Sequence, residues 1–258
     1  ASFLQALIDI VEGKSYSGVV HAIPLLGKTG SSRAGDTLLR LLNGKASHQN
    51  AIISALAELN YKRAALTIAK RLPIPGQEND NLAANYLSKV GSPTIIPEVF
   101  RALAEVKRGS QIMRYVRILR STAKQDASSA DRLLGYFDNQ KLDRTELAVL
   151  AATLADIAPP GHQPTIERLK AILAKGDTGG LELQTAIALR ILGDKTGPAA
   201  LKKNLRRKLT GKQKRNYLNH ANLGEYYLEF GEYKAAVDAY KAGINVATGN
   251  AIRSMLYL

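Results

Sequence analysis

The sequence has 258 residues, 36 Lys and Arg against 22 Asp and Glu, a formal net charge of +14, and 45% hydrophobic residues. Because it has no cysteine, disulfide frameworks, thiolate nucleophiles and cysteine-based zinc or iron–sulfur sites are excluded. The longest apolar runs, at 52–59 and 147–154, fall well short of the ~18 residues that span a bilayer. We therefore expect a soluble chain without a transmembrane segment or signal peptide, whose compartment the composition leaves open.

Apolar residues recur at helical spacing along the chain. The clearest stripes are Leu7, Ile8 and Val11, then Ile52, Ile53, Leu56 and Leu59, and later Leu147, Leu150, Ala151 and Leu154. Short breaks rich in Gly, Pro and Asp separate the stripes, and no run alternates with period two. The sequence thus predicts an all-α fold. Four residues beside breaks are expected to be helix N-caps: Asp80, Ser92, Asp126 and Asp143.

The predicted helices recur in pairs. The first helix of each pair is expected near residues 18, 46, 80, 109, 143, 179 and 213, with an average step of about 33 residues. Two helices of about 12 residues with their turns fill such a period. We therefore predict an α-solenoid, an α–α superhelix of about seven helical hairpins.

Small and aromatic residues near the C-terminus follow a characteristic order: Leu223, Gly224, Tyr227, Phe230, Gly231, Tyr233, Ala236 and Tyr240. This set resembles one tetratricopeptide repeat over residues 217–250. We expect Gly224 and Ala236 where the two helices cross closely, with Gly231 in the turn between them. The sequence departs from the family at Gly243 and Thr248, where Ala and Pro are usual.

Two earlier segments share a Gly–Pro turn followed by an apolar helix, at 90–99 and 192–201. They resemble the turn and second helix of HEAT-like repeats, although the proline shifts by one residue between them. The two resemblances imply HEAT-like repeats over 1–216, followed by a tetratricopeptide-like repeat and the start of a further helix over 217–258. Because both ends of the chain are apolar, we expect a slice of a longer solenoid that can self-associate through uncapped repeat ends.

The positive charge is concentrated near the C-terminus. Nine basic residues and no acidic residue lie between Lys195 and Gly224. We call them the basic strip: Lys195, Lys202, Lys203, Arg206, Arg207, Lys208, Lys212, Lys214 and Arg215. Clustered like charges repel and contribute nothing to hairpin packing, so we predict an exposed anion-binding surface, comprising every member except Lys195. The alternative is an ordinary solvated basic face.

Two weaker candidate sites accompany the strip. Arg114, Arg117, Arg120 and Lys124 follow helical spacing and predict a secondary basic face, unless nearby acidic side chains pair with them. The tetratricopeptide resemblance implies a peptide-binding role for Asn219, Asn222 and Tyr226, unless these are ordinary helix residues.

Catalytic patterns are missing from the sequence. The four histidines, at 21, 48, 162 and 220, lack metal-site spacing, and the glycines fall in turns rather than in a phosphate-binding loop. HEAT-like alkylpurine DNA glycosylases share a basic helical architecture but rely on aromatic residues including Trp, which this chain lacks. We therefore expect no enzyme, no cofactor and no metal.

The composition favours a scaffold or adaptor that binds another protein or an acidic peptide through its solenoid surface and the basic strip. The alternative is a nucleic-acid-binding solenoid in which the strip contacts phosphates. Membrane insertion is not expected.

Overall fold

The computed structural model describes residues 2–13, 16–44, 48–106, 109–139, 143–174, 180–210 and 216–256. Within these ranges the regular structure consists of helices and two short 3-10 turns, without any strand, so the predicted all-α fold is confirmed. The helices are α1 (Phe3–Glu12), α2 (Tyr16–Lys28), α3 (Ser32–Asn43), α4 (Gln49–Glu58), α5 (Ala65–Ala69), α6 (Gln77–Val90), α7 (Ile96–Glu105), α8 (Gly109–Thr122), α9 (Ala127–Asn139), α10 (Arg144–Ile157), α11 (Gln163–Ala174), α12 (Gly180–Ile191), α13 (Thr196–Lys208), α14 (Tyr217–Glu229) and α15 (Tyr233–Leu256).

The predicted repeat spacing is present in the structure. The even-numbered helices from α2 to α14 begin at residues 16, 49, 77, 109, 144, 180 and 217, within four residues of the expected starts. The chain folds as two compact units, Ala1–Lys124 and Gln125–Leu258. The division at residue 216 depends on repeat type and stays a prediction.

In the first unit, helices pack on their neighbours in the chain. α2 lies against α4, α4 against α6 and α6 against α8, while α3, α5 and α7 pack beside them and α1 covers α2 and α3. The predicted stripes point inward, since Leu7, Ile8, Ile53 and Leu56 are all buried. The period-3.6 pattern therefore identified the core faces of these helices.

The second unit follows the same principle. α10 packs against α12, α11 against α9 and α12, α13 against α12 and α14, and α14 against α15. Gly224 is buried where α14 meets α15, and a Cβ at this position would lie 2.7 Å from the Tyr240 ring. Gly231 forms the turn with φ +76, and Ala236 is buried. The predicted close crossing is present, while the repeat type stays a resemblance.

Three of the four predicted caps stand at helix starts. Asp143 forms a capping box with Glu146, Asp126 accepts from the Ser128 N–H, and Ser92 is the N-cap of a 3-10 turn without a side-chain bond. Asp80 was predicted wrongly, because α6 begins earlier and the residue is buried inside the helix.

An apolar stripe is exposed on α15. Tyr233 and Ile244 are 67% and 64% exposed, and Val237 lies between them on the same side of the helix. Self-association stays a prediction, and the terminal Tyr257 and Leu258 lie outside the described residues. Among the described helices, none combines the length and apolar character needed to cross a bilayer.

Candidate anion-binding cleft

The basic strip of α13 has a buried face and two polar sides. Leu201 and Leu205 are buried and fix the rotation of the helix. At 100° per residue, Lys202 and Arg206 then lie on one side, while Lys203 and Arg207 lie on the other. The tertiary surroundings of these two sides differ.

Lys202 and Arg206 are engaged within the fold. The Lys202 ammonium lies 2.7 Å from both carboxylate oxygens of Glu232, and 5.1 Å from the centre of the Tyr227 ring. Arg206 Nε donates to the Tyr227 hydroxyl oxygen at 3.0 Å. This side of the strip therefore connects α13 to the α14–α15 hairpin, which corrects the expectation that these charges lack internal partners.

Lys208 also has an acidic neighbour. Its ammonium lies 3.6 Å from Glu182 Oε2 of α12, and the side chains of Lys208 and Glu182 are only 18% and 6% exposed. Because so little of either side chain is exposed, Lys208 is less accessible to a large partner than the exposed cations of the strip. Three further members of the strip, Lys212, Lys214 and Arg215, lie outside the described residues.

Lys203 and Arg207 form what we call the outer pair. Both are exposed and lie one helical turn apart on α13. Arg207 donates to Asn204 Oδ1 at 2.8 Å, and neither cation has an ion pair among the described residues. In the described part of the strip, the exposed cations without an ion pair are thus this outer pair, Lys195 and Arg206, of which Arg206 is bonded through Nε to the Tyr227 hydroxyl.

The outer pair lines a cleft between α11 and α13, which we call the α11/α13 cleft. Its volume is about 510 Å³. It is lined by Lys170, Leu173, Ala174, Thr196, Gly197, Ala200, Leu201, Lys203, Asn204 and Arg207. Leu173 and Leu201 are buried and form its floor, while Lys203 and Arg207 are exposed at its edge. The cleft therefore combines an apolar floor with a cationic edge.

A third cation, Lys170, is held by Asp194. The Lys170 ammonium lies 2.5 Å from Asp194 Oδ2, and the other carboxylate oxygen accepts from the Gly197 N–H and the Thr196 hydroxyl. Burial alone would raise the pKa of Asp194, but these bonds outweigh it and lower the pKa to about 2. Lys170 is thus neutralised locally, and the uncompensated charge at the cleft belongs to the outer pair.

Arg114, the first residue of the predicted secondary basic face, is buried rather than exposed. Arg114 is 7% exposed, and its guanidinium donates to Asp80 Oδ2 at 2.8 Å. Asp80 Oδ1 accepts from the Tyr115 hydroxyl at 2.7 Å and from the Ile74 N–H at 3.2 Å. Burial raises the pKa of Tyr115, and the bond to Asp80 raises it further. Arg114 is therefore part of the core of the first unit and cannot contact a partner.

The remaining members of this face are exposed. Arg117 donates to Asn85 Oδ1 at 3.3 Å, and Arg120 and Lys124 also lie at the surface. The predicted helical stripe therefore keeps three surface cations.

The residues implied by the tetratricopeptide resemblance do not form one surface. Tyr226 is 3% exposed, and its hydroxyl donates to the Pro198 carbonyl at 3.1 Å; it also stacks on Phe230. Asn219 donates to the Lys208 carbonyl at 3.3 Å, and Asn222 is half-buried. The Tyr226 side chain fills the α13–α14 interface, and the peptide-binding role stays a prediction that depends on Asn219 and Asn222.

The described residues contain no group of His, Asp and Glu side chains placed to hold a metal ion. No family model and no curated protein matches the sequence. The HEAT-like and tetratricopeptide resemblances therefore rest on the residues quoted above.

Sequence reasoning found the outer pair but missed the rest of the cleft. Ala200 and Asn204 have the spacing that places them beside Lys203 and Arg207 on one helix face. The part of the cleft that α13 contributes was therefore predictable from the sequence. Lys170 and Leu173 come from α11, and nothing local to the sequence indicates which side of α13 that helix contacts.

Proposed function

We propose that this chain is a non-enzymatic scaffold or adaptor that binds an acidic segment of another protein through the outer pair of α13. The observation that carries the proposal is the exposure of Lys203 and Arg207, without an acidic partner in the described residues, beside the α11/α13 cleft. Two other described cations of the strip have acidic partners within the fold: Lys202 pairs with Glu232, and Lys208 with Glu182. An arginine fork and a neighbouring ammonium suit carboxylates presented by a protein surface.

The chemistry of the cleft favours a protein over a nucleic acid. Phosphate contacts need only cations, but binding of unstacked bases relies on aromatic platforms, and the described residues that line the cleft include no aromatic side chain. An apolar floor of leucine and alanine offers little to a sugar–phosphate backbone. It does suit a polypeptide, which can present apolar and acidic side chains together.

The test is charge reversal of the outer pair. We expect Lys203→Glu with Arg207→Glu to weaken the binding of fluorescein-labelled poly-glutamate at least about tenfold at physiological salt, because attraction becomes repulsion. Both side chains are exposed, so the melting temperature should stay close to that of the parent.

The matched control is Lys234→Glu with Lys241→Glu on α15, where both lysines are exposed. It changes the net charge equally and should leave the affinity within roughly twofold. If both double variants weaken poly-glutamate equally, binding follows the net charge and the proposal is wrong. If duplex DNA binds the parent chain more tightly than poly-glutamate under the same conditions, and loses affinity on reversal of the outer pair, the nucleic-acid alternative replaces it.

A further inference from the structure

The α11/α13 cleft has a feature that a purely electrostatic surface would not need. Leu173 and Leu201 lie at its base, and Ala174 and Ala200 stand at its exposed flanks. Alanine at these two positions leaves space where longer side chains would close the cleft. The result is a concave site of about 510 Å³ with an apolar floor, within the size range of small-ligand pockets and large enough to admit an apolar side chain.

Three of the polar side chains around this site lie together on α13. Lys203, Asn204 and Arg207 come from successive positions of one face of α13. Opposite them, Lys170 is fixed by Asp194, so it contributes a positioned aliphatic stem more than a free charge. An occupant would therefore meet apolar surface below and two uncompensated cations along one edge.

We infer that the α11/α13 cleft binds an acidic peptide segment that inserts one apolar side chain between α11 and α13 and places adjacent carboxylates against Lys203 and Arg207. The inference rests on the proposed function and adds the apolar anchor, the residues of α11 and the peptide chemistry. The cations attract the carboxylates of the peptide, and the leucine floor accommodates its apolar side chain. Binding energy in such interfaces is concentrated in a buried anchor, with the charged edge contributing specificity.

The experiment separates the anchor from the charge. The probes are two fluorescein-labelled peptides of Asp and Glu, one with a single central Leu and the other with Ser at that position. We expect the Leu peptide to bind the parent chain at least about tenfold more tightly, since burying a leucine side chain gains about that much.

The second part of the experiment uses a variant in which the cleft is filled. Ala200→Met adds volume at the exposed flank of the cleft without changing charge, and both residues favour helix. We expect it to abolish the advantage of the Leu peptide while the Ser peptide binds as before. The matched control is Ala199→Met, because Ala199 is an exposed neighbour on α13 outside the cleft lining; it should keep the full Leu advantage.

The outcomes distinguish the two proposals. If the Leu and Ser peptides bind equally, or if Ala200→Met keeps the Leu advantage, the anchor inference is overturned while the acidic-segment proposal stands. If reversal of Lys203 and Arg207 leaves the affinity of both peptides unchanged, the proposed function fails and the inference fails with it. Loss of the Leu advantage in Ala200→Met alone, with unchanged circular dichroism, supports the inference.

Discussion

Arg114 in the first unit and Arg207 in the second occupy similar places in the sequence pattern but opposite environments in the structure. Both belong to runs of cations at helical spacing. Arg114 is buried and bonded to Asp80, whereas Arg207 is exposed and, among the described residues, is bonded only to Asn204 of its own helix. The difference arises from the neighbouring helix, because α6 supplies a carboxylate to α8 and α11 supplies alanine and leucine to α13. Spacing alone therefore does not separate structural cations from binding cations.

The largest loss of stability is expected when the buried Asp80–Arg114 ion pair is broken. Asp80→Ala leaves the Arg114 charge, the Tyr115 hydroxyl and the Ile74 N–H without their common acceptor. Breaking one partner of a buried pair costs about 3–5 kcal/mol. The measurement is urea denaturation, with hydrogen exchange reporting on the amides of α6 and α8.

Two variants make this test specific. Asp80→Ala combined with Arg114→Met should recover a large part of the loss, because no buried charge then remains. Arg117→Ala on the exposed side of α8 should change the free energy of unfolding by at most about 0.5 kcal/mol. A cost below about 1 kcal/mol for Asp80→Ala would contradict the assignment of Arg114 to the core.

The next effect concerns helix packing in the second unit. Gly224→Ala places a Cβ 2.7 Å from the Tyr240 ring, and such overpacking costs about 1–3 kcal/mol. Gly135→Ala is the matched control, because among the described residues nothing beyond the adjacent backbone of α9 lies within 4 Å of its Cβ position. It should raise the free energy of unfolding by about 0.5–1 kcal/mol. Thermal denaturation of both variants measures the contrast, and destabilisation by both would refute it.

A smaller loss of stability is expected when a cation is removed from one side of α13 but not when one is removed from the other. Lys202→Met loses the Glu232 pair and the contact with the Tyr227 ring. Since both ionic side chains are partly exposed, the expected loss is at most about 1 kcal/mol and should shrink in high salt. Lys203→Met removes an exposed cation without such contacts and should leave the melting temperature unchanged. Equal changes in the two variants would show that the sides of α13 are equivalent.

The remaining prediction concerns the pH dependence of stability at Asp194. Its pKa is lowered from 3.8 to about 2 in the folded chain, so its stabilising contribution is complete above the unfolded value and is lost as the pH falls from about 4 to 2. Asp194→Asn should therefore be less stable than the parent at pH 6, with the difference vanishing near pH 2. Melting temperatures across this range provide the measurement, and a difference independent of pH would disprove the role of the ionised carboxylate.

Much of the local structure was predictable from the sequence. The all-α fold and the spacing of paired helices followed from apolar periodicity and turn residues, and Asp143 was recognisable as a cap from its position. These features depend on contacts within a few residues. Asp80 was misplaced because α6 starts at Gln77, before the predicted boundary, and its burial depends on Arg114 and Tyr115 of another helix.

The sequence by itself determined which residues form helices, which helix faces are apolar, and where positive charge accumulates, because these properties depend on the order of neighbouring residues. Only the tertiary structure decided which cations remain available. Glu232 approaches Lys202 and Asp80 approaches Arg114 from positions 30 and 34 residues away, and α11 completes the cleft beside Lys203 and Arg207. These pairings depend on how separate helices pack against each other, and that geometry has no local signature in the chain.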